Sequence, residues 1–122
     1  MIRTFESGKD CNRKFNAVDD KNNLIGYNLD DDCCAHGGWF IAPEVVYDEP
    51  ETMTIYDVSA YDFDLGFFLE TPVSMSDYKA VVIRLIANGK PALYLHCYNV
   101  HNGYYSKGFN AVLGDVRKDI NV

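Results

Sequence analysis

Tyr78-Lys79-Ala80-Val81-Val82-Ile83-Arg84-Leu85-Ile86-Ala87, then Asn88-Gly89-Lys90-Pro91, then Ala92-Leu93-Tyr94-Leu95-His96-Cys97-Tyr98-Asn99-Val100 is the stretch that decides the fold. Both arms are β-branched or aromatic and short for a helix, so they read as strands. Asn-Gly between them supplies the two residues that tolerate positive φ in a type I′ hairpin turn. A hairpin over residues 80–100 follows. The second Asn-Gly, Asn102-Gly103, permits another reversal into Tyr104-Tyr105-Ser106-Lys107-Gly108-Phe109. The sequence therefore predicts a second hairpin over 94–110 and a three-stranded antiparallel meander.

Upstream, Asn23-Leu24-Ile25-Gly26-Tyr27-Asn28-Leu29 reads as a strand entering the acidic run Asp30-Asp31-Asp32. Cys33-Cys34-Ala35-His36-Gly37-Gly38 reads as a tight turn on its glycines, and Trp39-Phe40-Ile41-Ala42 resumes a strand that Pro43 ends. Tyr61, Phe63, Leu65 and Phe67 recur with period two, the signature of a strand with one wet face. Tyr47-Asp48 and Tyr56-Asp57 repeat the aromatic–acid pairing, with a loop expected over Glu49–Met53. Near the amino end a short strand is expected at Ile2–Phe5 and a turn of helix at Arg13–Val18. No internal repeat appears. The fold class is β-rich, mainly β or α+β, in a single domain over 1–122.

Composition sets the outer limits. A chain of 122 residues, 48% hydrophobic and 14% aromatic, suits one domain whose core is dominated by aromatic packing. The formal net charge of −7 has the wrong sign for displacing counterions from phosphates, so direct nucleic-acid binding is not expected. It favours solubility and steers the chain toward a basic partner surface. Met1-Ile2-Arg3-Thr4-Phe5-Glu6-Ser7 lacks the apolar region of a secretion signal, and Ala80–Ile83 is far short of the ~20 apolar residues a bilayer span needs. No membrane association is expected. Of the four cysteines, Cys33 and Cys34 are adjacent, a poor arrangement for a disulfide framework, and all four read as reduced thiols in a cytosol.

Reactive side chains concentrate in Asp31-Asp32-Cys33-Cys34-Ala35-His36 and His96-Cys97-Tyr98-Asn99-Val100-His101. A zinc site would draw Cys and His from both, yet neighbours on a strand point to opposite faces and no C-x₂-C is present. A Cys–His nucleophile is opposed by three preceding aspartates, which disfavour the thiolate. No spacing singles out a carboxylate pair, and Gly37-Gly38 is not followed by a phosphate-loop Lys-Ser/Thr. No catalytic residue, metal or cofactor is assigned, and the chain is not expected to be an enzyme. The favoured reading is a binding surface. Its candidates are Asp32, His36, Trp39, His101, Asn102, Tyr104, Tyr105 and Ser106, with Trp39, Tyr104 and Tyr105 expected to be partly exposed amphipathic anchors.

Asp32-Cys33-Cys34, followed far downstream by Asn102-Gly103-Tyr104-Tyr105-Ser106, resembles an uncharacterised family of small proteins encoded by bacteriophages and prophages. In that family an Asp-Cys-Cys segment precedes an aromatic-bearing strand, and a late strand ends in Asn-Gly-Tyr-Tyr-Ser. The likeness covers about residues 20–110, and Ala35-His36 stands where the family usually has Glu after the cysteine pair. It implies a phage-linked β-rich domain acting in the host cytoplasm and carries no catalytic residue. By analogy of that context, the expected function is to counteract a bacterial antiviral defence. The chain would occlude a host defence protein or sequester its nucleotide second messenger. Mimicry of DNA by the acidic surface is one form of occlusion. A virion structural or assembly protein, with room for a homo-oligomer, is the first alternative, and a small metal-dependent enzyme is the second.

Overall fold

The computed structural model describes residues 1–9, 12–30, 35–101 and 105–122. Those residues form nine strands: β1 (Arg3–Ser7), β2 (Lys14–Val18), β3 (Leu24–Asn28), β4 (Ala35–Ala42), β5 (Asp62–Glu70), β6 (Tyr78–Ala87), β7 (Lys90–His101), β8 (Gly108–Leu113) and β9 (Val116–Asn121). All pairings are antiparallel. One sheet has the order β1-β2-β3-β8-β9 and the other β4-β7-β6-β5. Inward side chains of both meet in one core. Phe15, Ile25, Tyr27 and Phe109 come from the five-stranded sheet, and Val81, Ile83, Leu85 and Leu95 from the four-stranded sheet.

The β6–β7 hairpin is the expected one. Val81 faces Cys97, Ile83 faces Leu95 and Leu85 faces Leu93 across the ladder. The intervening residues Tyr78, Ala80, Val82, His96 and Tyr98 are buried too, on the opposite face. A strand covered on both sides needs apolar residues at every position, which explains why these arms read as continuous runs rather than an alternation. The turn departs from type I′, because only Gly89 has a positive φ (72°) and Asn88 does not. One extra residue is absorbed instead, as the register moves from Leu85–Leu93 to Ala87–Lys90.

The second hairpin, over 94–110, is corrected by the strand order. β7 already has β4 on one side and β6 on the other, so it has no free edge to offer a third strand. The chain crosses to the other sheet, where β8 inserts between β3 and β9. The expected meander is thus replaced by a sandwich crossing. The turn residues Asn102 and Gly103 lie outside the described residues.

Three local readings also change. Arg13–Val18 is not helical: Lys14–Val18 is a strand between β1 and β3, with Phe15 and Ala17 fully buried on one face. Gly37 and Gly38 do not make a turn, since both lie inside β4. They are small because something else occupies the space. A Cβ on Gly37 would lie 2.7 Å from Lys107 Cε and 2.9 Å from the Tyr98 carbonyl oxygen, and one on Gly38 would lie 3.1 Å from Tyr98 Oη. Tyr47 and Tyr56 lie in an irregular segment, not on strands. The period-two run from Tyr61 does form β5, but its register breaks between Phe63 and Phe68, so Leu65 is exposed and the inward face resumes at Phe68.

Lys107 fills the inner side of β4 in an unusual way. It is 1% exposed, and Nζ has no hydrogen-bond partner among the described residues. Its backbone exchanges two hydrogen bonds with Val122, of 2.8 and 2.9 Å, which hold the last strand in place. A buried amine without a partner costs more than an apolar group of the same shape. Lys107→Met should therefore raise stability by about 1–4 kcal/mol in urea unfolding, and a lowered midpoint would contradict that reading of Nζ. Gly37→Ala should lose about 1–3 kcal/mol in the same assay, because its methyl meets both the lysine stem and the Tyr98 backbone.

Candidate functional site

Burying β6 and β7 on both faces requires a cover for the outer one. The chain between β4 and β5 supplies it. Val45 and Val46 pack on a second cluster built from Phe40, Tyr78, Ala80, Val82 and Tyr98. Polar contacts hold this strap down. His96 Nδ1–H donates to the Tyr94 carbonyl at 3.0 Å, which leaves Nε2 free to accept the Val46 N–H at 3.0 Å. The imidazole also stacks on Phe40 at 4.2 Å. Glu49 Oε1 meets His36 Nε2 at 2.6 Å and accepts the Tyr98 hydroxyl at 3.0 Å. Ser74 and Ser76 both donate to Asp48 Oδ1.

Burial pushes the His96 pKa down to about 4 from an ordinary 6.5. The unfolded chain therefore binds a proton that the folded chain refuses, and stability falls as pH drops from 6.5 through 4. The loss should approach about 3 kcal/mol across that window, read as denaturant midpoints at each pH. His96→Gln keeps an acceptor for Val46 but cannot titrate, and should flatten the profile there. Asp62 and Asp64 are held below the usual carboxylate range, by the amino terminus and by Arg84 respectively. Their contribution is lost only at lower pH.

Beside the strap lies an apolar groove of about 330 Å³, lined by Thr4, Trp39, Phe40, Ile41, Met53, Thr54, Ile55 and Tyr56. Trp39 stacks on Phe15 at 4.2 Å, and its indole N–H points to Glu6 Oε1 at 3.5 Å. The side chain is thus rigid and partly exposed. Ile55 is 97% exposed and Met53 51%. A second hollow, of about 440 Å³, opens at one end of the sandwich between Val73, Asp77, Lys79, His101, Ser106, Asn121 and Val122. There Lys79 Nζ donates to the Asn121 carbonyl at 3.3 Å.

The residues singled out from sequence do not form one surface. His101 and Ser106 share the end hollow, and Tyr105 is partly exposed beside Ser106, its carbonyl accepting Asn99 Nδ2 at 2.8 Å. His36 is engaged by Glu49 and belongs to the strap's fastening. Trp39 lies in the groove instead, away from His101. Asp32, Asn102 and Tyr104 lie outside the described residues. Cys97 is fully buried with its thiol pKa pushed up by desolvation, the behaviour of a small apolar residue.

Met53 and Ile55 were legible only through charge. No Lys or Arg occurs between Lys21 and Lys79, and twelve of the 18 Asp+Glu fall in that interval. The interval contains β3, β4, the strap and β5, and within it Glu44, Asp48, Glu49, Glu51 and Asp57 all stand exposed on the strap that flanks the groove. The cations lie elsewhere, on β1, β2, β6, β7 and β9 and at Lys9, Arg13, Lys21 and Lys107 between strands. Among the described residues no helix is long and apolar enough to cross a membrane, and no group of three or more His, Cys, Asp or Glu is placed to hold a metal ion. Compared with known proteins, the chain matches no family model, no curated protein and no solved structure.

Proposed function

We propose that this chain is a phage-encoded binding protein that counteracts a bacterial antiviral defence in the host cytoplasm by occluding a basic surface of a host protein. The observation that carries the binding reading is an exposed apolar groove flanked by a segment between β4 and β5 that carries acids and no Lys or Arg. Apolar side chains such as Ile55 and Met53 supply contact energy when covered, while the surrounding carboxylates steer a cationic partner and reject an anionic one. The phage and defence context rests on the Asp32-Cys33-Cys34 and Asn102-Gly103-Tyr104-Tyr105-Ser106 resemblance. Mimicry of nucleic acid is the limiting form of such occlusion, with carboxylates standing where phosphates would.

Sequestration of a nucleotide second messenger is a second reading, favoured by the end hollow, where Lys79, His101 and Ser106 converge. One preparation separates the two. Protein recovered from a defence-carrying host lysate should retain a host protein in stoichiometric amount, and retention should weaken steeply as salt rises. Heat extraction of the same material should release no nucleotide. Retention that is unchanged from low to moderate salt would contradict the occlusion reading, and a released nucleotide would favour sequestration. Recovery of the chain in purified particles would point to the virion-assembly alternative.

A further inference from the structure

Four strands form the edges of the two sheets: β1 and β9 in one, β4 and β5 in the other. An edge strand presents unpaired backbone groups that recruit another strand unless charge, proline or a bulge prevents it. Three edges are protected. β1 carries Arg3 and Glu6, and β9 carries Arg117, Lys118 and Asp119. β5 carries Asp62, Asp64 and Glu70 and is broken by its register shift. β4 reads Ala-His-Gly-Gly-Trp-Phe-Ile-Ala, with no Asp, Glu, Lys, Arg or Pro and an unbroken register of eight pairs to β7.

Alternate residues of an antiparallel strand direct both backbone groups away from their one partner. Among the described residues, no backbone hydrogen bond outside the sheet ladders reaches β4. Among the described residues its outer edge is therefore unpaired. The apolar groove takes in the second half of that strand, where Trp39, Phe40 and Ile41 of β4 line it together with Met53 and Ile55 of the strap. The charged residues of the strap are all acids: Glu44, Asp48, Glu49, Glu51 and Asp57.

Resting on the binding reading above, the geometry points to β4 as the docking edge for an extended segment of the partner protein, one that alternates cationic and apolar side chains. That segment adds as a further strand of the four-stranded sheet. Backbone hydrogen bonds to β4 set its register, its apolar side chains enter the groove beside Trp39, Met53 and Ile55, and its cations meet the acids of the strap. The alternation is required because successive side chains of any strand point to opposite faces. A second copy of this chain fits less well, since two molecules of net charge −7 repel and a second β4 brings no Lys or Arg.

The probe is an end-blocked peptide of alternating lysine and valine, equal in length to β4, with glutamate in place of lysine as the control. Binding is followed by Trp39 fluorescence and by amide hydrogen exchange of the intact protein. Three results support strand addition: slowed exchange at alternate β4 amides with the other three edges unchanged, at least about tenfold preference over the acidic control, and at least about tenfold loss in Ile55→Asp or Met53→Asp. Both substitutions are at exposed positions outside the core clusters, so the fold should persist. A basic peptide that binds without slowing β4, or that does not bind at millimolar concentration, overturns the proposal. So does slowing of β4 by the protein alone as its concentration rises, which would place a second copy there. The broader binding reading fails separately, only when no host protein is retained from lysate.

Discussion

Burial of β6 and β7 on both faces is the constraint from which the rest of the architecture follows. Val81, Ile83 and Leu85 need the five-stranded sheet on one side, and Tyr78, Val82 and Tyr98 need a cover on the other. Among the described residues no further sheet or helix supplies that cover, so an irregular segment does. Irregular backbone has no ladder to hold it, and it is fixed by side chains from the sheet beneath. His96 accepts the Val46 amide, Glu49 joins His36 to Tyr98, and Asp48 takes two serine hydroxyls. The neutral state of His96 is part of that arrangement, since a protonated Nε2 has no lone pair for Val46.

Much of the fold was legible where local chemistry and global topology agree. The β6–β7 hairpin announced itself through a doubly apolar run around Asn88-Gly89, and Pro43 marks the end of β4. Legibility failed where a glycine had two meanings. In Gly37-Gly38 the absent side chains make room for Lys107 and the Tyr98 ring, and nothing local distinguishes that need from a turn. It failed again at Asn102-Gly103, because whether a reversal pairs with the preceding strand depends on whether that strand has a free edge, a property of the whole sheet. β2 was obscured by its shortness: two buried positions, Phe15 and Ala17, are too few to establish a period.

The candidate surface was less legible than the fold. His36, Trp39 and His101 attracted notice for their chemistry, yet the first fastens the strap, the second walls the groove and the third faces the end hollow. The stronger signal was the long interval from Lys21 to Lys79 without a cation, which is invisible to a search for reactive clusters but leaves the strap between β4 and β5 with acids as its only charges. Uniform charge alone makes no site. It acquires meaning because the same interval holds an edge strand without Asp, Glu, Lys or Arg and exposed apolar side chains.

Strand addition by a partner requires that β4 be an open edge in the free protein. Residue-resolved amide hydrogen exchange of the unbound chain under native conditions measures this directly. Amides near the middle of β6 and β7, such as Ile83 and Leu95, should be the slowest, while alternate β4 amides between His36 and Trp39 exchange orders of magnitude faster. Equal protection of β4 and the central strands would mean that the edge is already covered, and the assignment of that face to a partner would be wrong.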